Sequence, residues 1–138
     1  MHRQKFDEFI CSDDTLRVYE HDQQIYNSNK SGLLPLLEYI SNFTSYHRVV
    51  VFDKLMGNAA ALLAVKANCS EVFSPMGSQI AIDTLNKYGI SHQIIRIIPN
   101  IQKPDGLDMC PMEKLSLNKG PEDFYNSVNE ITNSREWK

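Results

Sequence analysis

The chain has 138 residues, of which 42% are hydrophobic and 22% charged, with a net charge of −3 and an isoelectric point near 5.8. A chain of this size suits one domain that buries a core without disulfides or metals as staples. The acidic balance argues against nucleic-acid or membrane-surface partners, which are usually met by a basic patch.

Residues 3–10 read as a short helix with Phe6, Phe9 and Ile10 on one side. In residues 15–20 the apolar Leu16 and Val18 alternate with polar neighbours, the period of a half-buried strand. His21-Asp22 forms a turn, and residues 24–26 return as a second strand, closing a hairpin. Residues 33–40 have helical apolar spacing, with Pro35 in the first turn, where its missing N–H has no partner to lose. The run Val49-Val50-Val51-Phe52 has the composition of a strand covered on both faces. Residues 56–67 form an alanine-rich helix, apolar on nearly every side and therefore buried. A short strand at 71–74 is followed by Gly77-Ser78, which opens a third main helix that stops at Gly89. Residues 92–98 make the fifth strand, and a polar loop leads to a helix start at Cys110-Pro111. The tail from Gly120 is helical, with Phe124, Val128 and Ile131 in register. This order predicts an α/β fold with a mixed five-stranded sheet between helical layers. Right-handed crossovers would set the two central helices side by side on one face.

Cys11, Cys69 and Cys110 are odd in number and widely spaced, unlike a secreted disulfide framework. The first residues run into Asp7 and Glu8 instead of an apolar stretch, and no run approaches the roughly 20 residues of a membrane span. A cytoplasmic protein is the expectation.

Ligands of open α/β sheets sit beyond the carboxyl ends of the strands. Three segments fall there: Asp53 to Asn58, Ser74 to Ser78, and Asp105 to Glu113. Asp53 can accept ligand hydrogen bonds or act as a general base, or else cap a turn. Lys54 can neutralise an anion, or else be solvated. Gly57 and Asn58 lie where a helix begins and its free N–H groups favour negative charge. Cys110 before Pro111 places a thiol at a helix start, where its acidity rises, or else a small buried side chain beside a turn. Glu113, three residues on, can instead complete a capping interaction. Ser78 suits a cap or an anion contact. His2 and His21 read as exposed, His47 precedes the third strand and His92 begins the fifth. No two histidines have a local metal-binding spacing, so neither a metal nor another cofactor is expected. Phosphate-loop, dinucleotide and serine-elbow patterns are absent from the sequence.

The stretch Asp53-Lys54-Leu55-Met56-Gly57-Asn58-Ala59-Ala60-Ala61 resembles the D-K-x-x-G-x-A-A-A signature of a bacterial and archaeal family of unknown function, and Cys110-Pro111-Met112-Glu113 is similar to that family's C-P-M-E motif. Ser31-Gly32 with Pro35-Leu36-Leu37 is similar to the segment before its first main helix. The likeness spans roughly residues 15–118, leaving the N-terminal arm and a helical extension, 119–138, outside it. It implies a cytidine-deaminase-like fold, a three-layer α-β-α sandwich within a single domain. Zinc deaminases of that fold carry H-x-E and P-C-x-x-C at two helix starts. Here the first position has no histidine or cysteine, and the second reads Pro75-Met76-Gly77-Ser78. Deaminase chemistry is therefore not expected. The first expectation is a binder of a small nucleotide-like or anionic ligand, with Asp53, Cys110 and Glu113 available for thiol-dependent catalysis and Lys54, Gly57, Asn58 and Ser78 for binding. The second is a non-catalytic oligomeric or protein-interaction module using the hairpin edge or the final helix with Phe124, Tyr125 and Trp137. A homodimer is compatible with both.

Overall fold

The computed structural model describes residues 2–43, 47–103, 106 and 108–134. Helix α1 (Arg3–Cys11) leads into the hairpin of β1 (Leu16–Glu20) and β2 (Gln23–Ser28). Then follow α2 (Leu34–Asn42), β3 (Val49–Asp53), α3 (Asn58–Lys66), β4 (Cys69–Ser78), α4 (Gln79–Lys87) and β5 (Ser91–Ile98). The short α5 (Pro111–Ser116) and the longer α6 (Pro121–Ser134) complete the order. The hairpin turn is made by His21 and Asp22, both left-handed with φ of 51° and 66°. Two such residues give a turn whose twist matches that of the flanking strands.

The strands form one mixed sheet in the order β2-β1-β3-β4-β5. β1 is antiparallel to β2 and β3, while β3, β4 and β5 are parallel. Alternation sorts the side chains into two cores. Leu16, Val18, Val49, Val51 and Val72 face α2, α3 and α4, and every one of them is essentially excluded from solvent. Helix α3 is buried from Asn58 to Ala64, and α4 packs beside it on the same face. Its alanines let both neighbours approach closely.

Tyr19, Phe52 and Phe73 point to the opposite face, where Phe6 and Phe9 of α1 close over them. Phe52 meets Phe6, Phe9, Tyr19 and Phe73 with ring centroids 4.9 to 5.7 Å apart. Each fully buried ring of this kind contributes about 1.5–3 kcal/mol through burial. His2 is part of this arrangement: its ring lies edge-on to Phe73 at 5.5 Å, so it is half-buried and not exposed as expected.

Among the described residues this second layer holds α1 alone, and it stops short of β5. Ile95 and Ile97, on that face of the edge strand, are 67% and 53% exposed. The sheet is therefore covered on both faces only at its centre, because one nine-residue helix cannot reach five strands.

Two expectations change. The fourth strand does not end at Ser74, nor does Gly77 open the helix: β4 runs on to Ser78, and Met76, Gly77 and Ser78 pair with Arg96, Ile97 and Ile98. The Ser74 hydroxyl donates to the Met76 carbonyl at 2.7 Å and so carries the strand past Pro75. Phe124 is not an interface residue, since it is buried with Val128 in the main core and α6 packs on α3. Trp137 lies outside the described residues.

Candidate functional site

β3 delivers Asp53 to the carboxyl end of the sheet, and the chain turns there into α3. A cavity of about 480 Å³ opens at this point, between α2, the start of α3, the loop before α5, and α6. Asp53, Lys54, Gly57, Cys110 and Glu113 all line it, together with Thr15. The rest of the wall is largely apolar, with Leu34, Leu37, Ala60, Met112 and Val128. Asp105 lies outside the described residues.

Asp53 is half-buried, and its Oδ1 accepts the Leu55 backbone N–H at 3.4 Å. Loss of water around the carboxyl pushes its pKa up to about 7, against weaker opposing help from the Leu55 and Lys54 backbone bonds. A carboxyl at that value exchanges its proton near neutrality, which is what an acid–base group requires.

Lys54 does not offer its charge to the cavity. Its Nζ donates to the Ser12 and Asp14 carbonyls, 2.7 Å each, and lies 4.7 Å from the Phe9 ring centroid. Only the side of the residue contributes to the wall, and the ammonium fastens the end of α1 to the start of β1.

Glu113 caps a helix, but not its own. Its two oxygens accept the backbone N–H groups of Asn58 and Ala59, 2.8 Å each. They satisfy the start of α3, where Gly57 has no side chain to do so. Burial pushes this carboxyl above its ordinary range, and the two N–H bonds pull the other way. The close approach explains Gly57. A Cβ there would lie 2.6 Å from Ile101 Cγ1 and 2.7 Å from Glu113 Oε1, too close for either.

Asn58 and Ser78 are turned to structural work. Asn58 is buried and joins three helices: its Nδ2 donates to Ser116 Oγ at 2.9 Å, and its Oδ1 accepts the Thr84 hydroxyl. Ser78 is fully buried and caps α4, accepting the Ala81 N–H at 3.0 Å. Neither is part of the cavity wall. Cys110 is half-buried, and its own N–H donates to the Ile101 carbonyl at 2.9 Å, so both ends of the intervening loop are pinned. Cys69 is buried and its thiol is pushed up to about 12 by desolvation, which makes it inert; Cys11 is exposed.

The fold and this cavity define an α/β domain with an apolar, acid-bearing recess at the switch from β3 to α3. The family model for a domain of unknown function, DUF1893, matches residues 7–131, and the chain belongs to that family. The match takes in the second half of α1 and most of α6, both of which the sequence motifs had left outside. A crystal structure of a DUF1893 family protein, TM1506, from Thermotoga maritima is similar: 32% identical, with 94% of this chain and 88% of that one covered and a TM-score of 0.84. No curated protein matches. Among the described residues no helix is long and apolar enough to cross a membrane.

Proposed function

We propose that the domain binds a small, largely apolar ring compound of nucleobase or nucleoside type in the cavity beside Asp53. The observation that carries this reading is the placing of a carboxyl with pKa of about 7 and a thiol, Cys110, in the wall of one apolar cavity of about 480 Å³. Such recesses with few polar groups suit small molecules. A phosphate is not favoured: Glu113 already occupies the start of α3, and the Lys54 ammonium is committed to two carbonyls. Asp53 would meet a ring N–H or amino group and could hold or accept a proton there. Catalysis would add Cys110 as nucleophile.

The cytidine-deaminase-like reading of the fold is supported by the mixed sheet with α3 and α4 packed on one face. It brings no zinc chemistry with it. The deaminase ligand positions correspond to Asp53–Asn58 and Pro75–Ser78, which supply no imidazole or thiol, and the Ser78 hydroxyl is used as a cap.

The test is the rate of Cys110 alkylation in the Cys11→Ser chain, which leaves buried Cys69 in place, with a panel of nucleosides and bases. Protection by one class, lost in Asp53→Asn, is the expected result. If no compound protects Cys110, the cavity does not bind this class. The reading would then pass to an interaction module, for which exposed Ile95 and Ile97 on edge strand β5 are the supporting observation. An oligomer in light scattering that Ile95→Lys dissolves would identify it.

A further inference from the structure

We infer that Glu20, His21 and His47 form a binding site for a divalent transition-metal ion at the end of the sheet opposite the cavity. Each residue offers one ligand atom, a carboxylate oxygen or an imidazole nitrogen, and these atoms lie within 4.8 Å of one another. The two imidazole rings meet nearly edge to face, with centroids 4.7 Å apart. The sequence gives no hint of this, because 26 positions separate the histidines. The fold removes that distance. β1 runs antiparallel to β3 with Leu16 opposite Asp53 and Tyr19 opposite Val50, so the hairpin turn beyond Glu20 comes level with the residues entering β3.

The backbone holds both histidines in place. His21 occupies the first position of the left-handed turn. The His47 carbonyl accepts the Asn68 side-chain N–H at 3.3 Å, which ties it to the turn between α3 and β4. A tetrahedral ion with bonds of about 2.0–2.2 Å has its ligand atoms roughly 3.3–3.6 Å apart. The side chains therefore close by about 1 Å on binding, a rotation that half-buried Glu20 and two exposed histidines can make. Two imidazoles with one carboxylate select zinc, nickel or copper over calcium or magnesium, which prefer all-oxygen sets. Three protein ligands leave a fourth position for water. The ion would clip the hairpin turn to the entry of β3, about 13 Å along the strand from Asp53.

Two charges close to these residues in sequence have partners of their own. The Arg48 guanidinium donates to the Cys69 carbonyl, and Asp22 faces Lys5 and His2.

The test is calorimetric titration of the untagged full chain with zinc chloride in chelator-free buffer. One ion per chain with micromolar affinity is expected, unchanged by Cys110→Ser and weakened at least about tenfold by His21→Asn or His47→Asn. Asparagine is chosen at position 21 because it accepts a left-handed backbone. On the native chain, zinc should move the imidazole NMR signals of His21 and His47 and leave those of His2 and His92 in place, a readout that needs no variant. Affinity unaltered in both histidine variants, a dissociation constant in the millimolar range, or shifts confined to other histidines would overturn the site.

Discussion

Glu113 and Ala59 stand 54 residues apart, yet Oε1 of the first accepts the backbone N–H of the second at 2.8 Å. The other oxygen takes the N–H of Asn58, so a side chain of α5 closes the open end of α3. Removing it leaves two buried donors without partners. Glu113→Ala should cost about 2–4 kcal/mol in urea unfolding. Glu113→Gln, which keeps one acceptor oxygen, should cost less. Equal stability of the alanine variant and the native chain would refute the cap.

Gly57 is required for space and not for backbone freedom, since its φ is −88°. Gly57→Ala forces a methyl group against Ile101 and against a carboxylate held by two hydrogen bonds. A loss of about 1–3 kcal/mol is expected in thermal or urea melts. Truncating the neighbour in Gly57→Ala/Ile101→Ala should recover only part of it, because Glu113 cannot move without uncapping α3.

Asp53 sets a pH dependence of definite sign. Its ordinary value is 3.8 and its native value about 7. Within that window the native state keeps a proton that the unfolded chain has released, so stability falls as pH rises through it. Asp53→Asn abolishes this contribution. At pH 8 the variant should be more stable than the native chain, by on the order of 2 kcal/mol, less than the full shift gives because the residue is half-exposed. At pH 4 the two should agree. Paired urea melts at both values decide it, and the comparison cancels the like-signed contribution of Glu113.

Lys54 fastens the N-terminal segment to the sheet. Lys54→Met keeps an unbranched side chain and deletes the ammonium, with its bonds to the Ser12 and Asp14 carbonyls and its contact with the Phe9 ring. Amide exchange in residues 2–14 should accelerate several-fold while that of α3 stays unchanged. Uniform acceleration throughout would mean global destabilisation and no specific tether.

The element order was legible because its signals are local. The β-branched run at Val49 and the alanine-rich helix carry their structure in composition. The end of β4 was not legible. Pro75 and Gly77 read as turn residues, and only pairing with β5 and Met56 keeps that stretch extended. Gly77 belongs there because a Cβ would press on Ile94 and the Met56 carbonyl. In the site, Asp53 and Cys110 were legible from their positions at the ends of elements. The work of Lys54, Asn58 and Glu113 was not, because each is committed to partners far along the chain. Residue type suggests charge or hydrogen bonding, but the fold decides with whom.

The cavity and the aromatic layer on the far face of the sheet share one residue. The side chain of Lys54 forms part of the cavity wall, and its tip holds the segment that carries Phe6 and Phe9. If the proposed ligand occupies the first, its binding and the docking of the second would be linked through Lys54. A ligand that presses Lys54 toward Ser12 and Asp14 tightens the arm, and one that draws it inward loosens the arm. Reciprocity requires an arm held in place to change the affinity of that ligand by the same factor.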